Sequence, residues 1–210
     1  MRRAPLIWWL TLALCACAPP DEVIGIERRA IVGGQPAPDE DAVYLLRTMD
    51  EDGCASLCSA TLIAPRTLLT AAHCVDLAMT APLMASNADD VALFAAENSA
   101  LVEEIRLHPD WSRRQLRHDL ALLRLATAQT ATPLAWNSVD LAGRGGQPVR
   151  ALGYGLDALD GGTGTRHEVA LTLRQISTEQ ILIGDLVSKG ICRGDSGGPT
   201  LHTFDDGVER

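Results

Sequence analysis

Nowhere in these 210 residues do more than two lysines or arginines stand in succession, and the formal net charge is −9. A nucleic-acid partner is excluded on that ground, because binding phosphate requires a basic surface. The apolar run near the N-terminus, residues 6–16, is too short to cross a bilayer. No two cysteines show zinc-ligand spacing supported by histidines, so no metal site is expected, and no cofactor-binding motif is present. Internal repeats and low-complexity blocks are absent as well. What remains is ordinary globular composition, 47% hydrophobic and 21% charged, with length enough for one large domain or two small ones.

Arg2 and Arg3 precede the apolar run, which together read as a secretory leader over residues 1–17. Its end, Leu14-Cys15-Ala16-Cys17, has the form of a bacterial lipidation signal with Cys17 as acceptor, and simple cleavage near Ala16 or Ala18 is the alternative. Both readings export the chain, as a secreted or cell-envelope protein, and the first adds a lipid anchor to the precursor. Residues 18–30, proline-led and charged, read as a propeptide or tether. Cys54, Cys58, Cys74 and Cys192 then belong to the body of an exported protein, where disulfides form.

From Ile31 onward, short stretches rich in Val, Leu, Ile and Thr are separated by Gly, Pro, Asn and Asp. Segments 42–48, 59–64, 66–72, 90–96, 120–126, 148–155 and 167–176 all have this form. Many short strands at this spacing predict an all-β sandwich or pair of barrels. Segments 99–107 and 177–187 also score as helix by propensity, and strand is the reading adopted for both.

Four separated signals carry chemistry. Thr70-Ala71-Ala72-His73-Cys74 puts a histidine at a strand end beside a cysteine. His118-Asp119-Leu120-Ala121-Leu122-Leu123 brings an aspartate into an apolar strand. Gly194-Asp195-Ser196-Gly197-Gly198-Pro199 holds a serine in a tight turn with exposed backbone. Ile31-Val32-Gly33-Gly34 is an apolar start followed by glycines.

Their order and punctuation resemble the trypsin/chymotrypsin-like serine proteases, and the resemblance runs from Ile31 to Arg210 with echoes in residues 106–111 and 152–155. It implies two antiparallel Greek-key β-barrels, the first over about residues 31–130 and a partial second over about 138–210. It also implies an endopeptidase acting on proteins or peptides. A serine hydroxyl is a poor nucleophile until a base takes its proton, and imidazole titrates in the range to do so. Ser196 is thus expected to attack, His73 to carry the proton and Asp119 to orient the imidazole, with the N–H groups of Gly194 and Ser196 as oxyanion hole. His118 stands where the family commonly has asparagine and is read as a polar neighbour. Cys58 and Cys74 match the family disulfide that braces the histidine loop.

The resemblance further implies a zymogen, in which cleavage before Ile31, by an activating protease or by the chain itself, frees an ammonium that pairs with Asp195. Ala30 precedes the cut where many relatives carry a basic residue. At the pocket floor Gly190 and Ile191 offer no charge, so small or medium apolar side chains are expected there, and Ala30 becomes a site for self-cleavage. Cys192 lacks the downstream partner usual in the family, and Cys54 lacks one too; two unpaired thiols are expected. Fourteen residues follow Ser196, fewer than the family fold uses, so the second barrel is expected to be incomplete. The competing reading is a catalytically silent, protease-like binding protein or remnant.

Overall fold

The computed structural model describes residues 34–49, 55–77, 83–90, 99–155, 164–178, 180–184 and 189–210. The leader, Cys17, the tether, Ile31 and Cys54 lie outside them, as does most of segment 90–96. Eleven strands follow one another along the described residues: β1 (Gln35–Pro36), β2 (Val43–Met49), β3 (Ala55–Ala64), β4 (Thr67–Thr70), β5 (Met84–Ser86), β6 (Ala100–Leu107), β7 (Ala121–Leu125), β8 (Pro148–Gly153), β9 (His167–Ile176), β10 (Ile181–Ile183) and β11 (Thr200–Leu201). One 3-10 turn among the described residues, Ala72–Cys74, interrupts them. The chain is all-β, as its punctuation implies.

Strands β2-β3-β4-β7-β6-β5 close into an antiparallel barrel, which removes free edges. β7 alternates strictly, burying Ala121, Leu123 and Leu125 while Leu122 and Arg124 face out, and this period of two is what a half-buried strand requires. β2 instead buries four consecutive side chains. Tyr44 and Leu46 enter the barrel core, whereas Val43 and Leu45 pack with Leu152, Tyr154 and Leu201. A continuous apolar run here means burial on both faces, because this wall of the barrel is also a wall of the junction.

The second unit is a sheet in the order β1-β9-β8-β11, with β10 added to β9. Its core is Val149, Ala151, Val169, Leu171 and Leu173. β1 pairs Gln35 with Glu168, so the segment after the expected cleavage point is fastened to the second sheet although the barrel follows it in sequence. Arg150 gathers Glu40, Glu168 and Glu209 at 2.6–2.7 Å, joining that segment to β8, β9 and the last residues. The Asp205-Asp206-Gly207 turn closes a short hairpin, since His202 and Arg210 exchange backbone hydrogen bonds at 3.1 Å in both directions. Segment 99–107 holds the strand β6, and among the described residues of 177–187 Ile181–Ile183 forms one.

Candidate active site

β4 ends at Thr70, and the chain then turns through Ala72–Cys74, with Ala72 fully buried, so that His73 is presented at the barrel's rim. A disulfide joins Cys74 to Cys58 on β3, with Cα atoms 6.1 Å apart, and fixes the base of that turn. Asp119 lies two residues before the start of β7. One of its oxygens accepts the His73 backbone N–H at 2.8 Å and the other lies 2.6 Å from His73 Nδ1. Because a carboxylate can only accept, Nδ1 carries the proton and Nε2 is left as the basic nitrogen. The side chains of His73 and Asp119 are 37% and 27% exposed, so the imidazole is open to an incoming group while its partner is more sheltered.

The loop leading to Asp119 is bound to the histidine turn. Asp76, one turn beyond His73, accepts two bonds from Arg113 at 2.8 Å each and one from Trp111 Nε1 at 3.1 Å. The Arg113 guanidinium holds the Asp76 carboxyl below its ordinary range. His118, at φ +55°, stacks on His108 with ring centroids 4.9 Å apart, and this unusual backbone aims the next residue at the imidazole.

Ser196 lies in a turn built by glycines. Gly194 has φ +98° and Gly197 has φ +83°. A Cβ on Gly197 would stand 2.2 Å from Thr70 Oγ1 and 2.3 Å from the Ser59 carbonyl, so the turn presses against β3 and β4 at a distance no side chain tolerates. The Ser196 carbonyl accepts from Ser59 N–H at 2.8 Å, and Cys74 Sγ lies 3.6 Å from it and 3.7 Å from His73 Nε2. The histidine turn, Asp119 and the serine turn, far apart in sequence, thus meet at the junction of barrel and sheet.

Asp195 points the other way, into the protein, and is 6% exposed. Its oxygens accept from Gly155 N–H and Cys192 N–H, each at 2.8 Å. A Cβ on Gly153 or on Gly155 would come within 2.3 or 2.5 Å of that carboxylate, so both glycines exist to admit it. Burial pushes the Asp195 carboxyl up to about 6, against the pull of the two N–H groups. Ile31, its expected partner, lies outside the described residues. Gly190 has open space where a Cβ would stand and Ile191 is 54% exposed, so neither is enclosed here. Cys192 is a free thiol, half-buried.

Residues 153 and 155 appear in the sequence only as part of a Gly-aromatic-Gly echo, and their purpose becomes visible once Asp195 is seen between them. Ser59 gave no signal at all, being one small residue in an apolar strand, yet it contacts the serine turn at two points.

The family model described as Trypsin matches residues 31–205. Chymotrypsin-like elastase family member 1 of Canis lupus familiaris is 31% identical over 173 aligned positions, covering 69% of this chain and 64% of that protein. The chain thus spans under two thirds of that relative's length. Chymase of Rattus norvegicus is 28% identical over 194 positions, covering 81% of this chain and 76% of its own. Cathepsin G of Mus musculus is 27% identical over 197 positions, covering 84% and 74%. A solved structure described as that of GrC superposes with a TM-score of 0.71 at 22% identity, over 84% of this chain and 90% of that one, which shows a shared fold.

Proposed function

The chain belongs to the trypsin family of serine proteases, and from that premise we propose that it is an exported serine endopeptidase. Ser196 Oγ attacks the peptide carbonyl as His73 Nε2 takes its proton. The oxyanion that forms is met by the N–H groups of Gly194 and Ser196. His73 returns the proton to the departing amine, and water, activated by the same imidazole, releases the acyl group from Ser196. The observation that carries this reading is the double acceptance of His73 by Asp119, at 2.8 and 2.6 Å, which fixes both the ring and its tautomer.

A fluorophosphonate probe tests it. Chain processed to Ile31, verified by N-terminal sequencing, is expected to carry the label on Ser196, and Ser196→Ala and His73→Ala are expected to stay unlabelled. A second reading, a binding protein on a protease fold, is favoured by the exposure of Ile191, 54%, where a substrate pocket calls for enclosure. Processed, cooperatively folding chain that ignores the probe would establish that second reading.

The zymogen reading adds Ile31 and Asp195 as an activation pair and gives Gly190 and Ile191 an uncharged pocket suited to small or medium apolar side chains. Ala30 then fits the enzyme's own selectivity. Unaided processing to Ile31 in Ser196→Ala would remove self-cleavage. If Cys17 carries a lipid, the cut also frees the catalytic part from its anchor.

Asp195 makes the pair measurable. Its carboxyl, at 3.8 ordinarily and about 6 in the fold, favours folding when protonated, so its contribution is complete below pH 4 and lost as pH rises through 6. That rise amounts to a loss on the order of 3 kcal/mol. About 2 kcal/mol of it is lost between pH 4.5 and 7.5, and urea unfolding of uncut Ser196→Ala should show that loss against the same chain carrying Asp195→Asn. In chain cut before Ile31 the new ammonium should cancel it. An equal pH slope with and without Asp195 would refute the assignment.

A further inference from the structure

We propose that Ser59 is a positioning residue for the oxyanion-binding backbone, setting the peptides of Gly194 and Ser196 through its side chain and its main chain; the inference rests on the protease reading above. Ser59 lies on β3 directly after Cys58 and is fully buried. Its N–H donates to the Ser196 carbonyl at 2.8 Å, and its hydroxyl donates to the Gly194 carbonyl at 2.8 Å. Its hydroxyl oxygen accepts from Tyr154 N–H at 3.0 Å, and its carbonyl accepts from Thr70 Oγ1 at 2.8 Å. A serine hydroxyl has one proton, and with Tyr154 N–H directed at the oxygen, that proton is committed to Gly194.

Gly194 is the residue that needs holding. At φ +98° it occupies backbone space that only glycine enters freely, and without a Cβ its flanking peptides can swing. The segment 194–196 is fixed at three points. The Gly194 carbonyl is held by Ser59 Oγ, the Asp195 carboxylate by Gly155 and Cys192, and the Ser196 carbonyl by Ser59 N. The two anchored carbonyls belong to peptides 194–195 and 196–197, which flank the peptide carrying the Ser196 N–H on both sides and adjoin the one carrying the Gly194 N–H, so one residue of a barrel strand limits how far either donor can swing. Preorganised donors of this kind stabilise charge that develops only in the transition state. Truncating Ser59 should therefore act on turnover and not on substrate binding.

The test compares processed wild type with Ser59→Ala. On an ester substrate with a small apolar side chain, kcat is expected to fall about 10- to 100-fold with KM within about twofold, less than the loss of a whole oxyanion donor at its upper limit. A peptide boronate, whose tetrahedral adduct fills the hole, should lose affinity by the same factor, while the cleaved product peptide binds as before. Ser59→Cys, which is somewhat larger and keeps a weaker donor, should recover part of the loss. Unchanged kcat, or equal losses in substrate binding and turnover, would overturn the proposal. If Ser59→Ala loses its cooperative unfolding transition, Ser59→Cys is read against wild type by the same criteria. Wild type that ignores the fluorophosphonate removes the protease reading and this inference with it, whereas reactive wild type with an equally reactive Ser59→Ala removes this inference alone.

Discussion

Asp119→Asn should cost about 10⁴ in kcat at neutral pH while leaving KM and thermal stability nearly untouched. The reason lies in how the two oxygens are used. One accepts the His73 backbone N–H at 2.8 Å and the other faces His73 Nδ1 at 2.6 Å. Asparagine offers a single acceptor. The backbone N–H cannot become an acceptor, so the amide oxygen stays with it and the amide NH₂ turns toward Nδ1. That nitrogen must then accept, which moves the ring proton to Nε2, the nitrogen that has to receive the proton of Ser196. The substitution leaves shape and volume in place and reverses the tautomer. The fluorophosphonate labelling rate should fall in parallel with ester turnover, and the urea midpoint should hardly change, since the side chain is 27% exposed and keeps both contacts. An Asp119→Asn chain that labels within tenfold of wild type would mean that the carboxylate is not orienting the base.

The same contrast between local and tertiary information decides what the sequence could reveal. His73, Asp119 and Ser196 stand in short segments whose chemistry is local: a histidine beside a cysteine, an aspartate entering an alternating strand, a serine among glycines. The alternation of β7 is equally local and reads directly. Gly153 and Gly155 were visible as glycines but not as the space around Asp195, because what they admit lies some forty residues away. Ser59 is harder still. A lone serine in a strand has no periodic or compositional mark, and its value comes from the turn that the fold lays across it. β1 shows the same limit at the level of topology: two residues ahead of the barrel pair with β9, and only the register Gln35 to Glu168 shows where they belong. Ile181–Ile183 reads ambiguously because a three-residue strand is too short to display a period.

Arg166 has no sequence mark of its role, and it yields the second large expectation: Arg166→Met should destabilise the chain by about 3–5 kcal/mol, because several buried acceptors are left unsatisfied together. An arginine just ahead of a strand reads as a solvated charge. Here its side chain is 0% exposed. The guanidinium donates to the carbonyls of Ala37 and Asn87 at 2.8 Å each and to Tyr154 Oη at 3.0 Å, with further bonds to the Pro38 carbonyl and the Asp89 carboxylate. It therefore ties the segment after β1 to the loop following β5 and to the tyrosine beside Gly155, whose N–H holds Asp195. Methionine fills the length but supplies no donor, so several inward-facing oxygens lose their partner together, and a buried acceptor without a donor costs more than a hydrogen bond ordinarily contributes. The ion pair is the lesser part. Asp89 is 53% exposed, so Asp89→Asn should cost less than about 1 kcal/mol. Arg166→Lys should recover only part of the loss, because three ammonium donors on a flexible stem cannot serve acceptors arranged for a planar fork. For a chain of this size 3–5 kcal/mol corresponds to a fall of roughly 6–20 °C in Tm. Urea midpoints for the three variants order these effects, and an Arg166→Met chain no less stable than Asp89→Asn would show that the barrel and sheet are held together without the guanidinium.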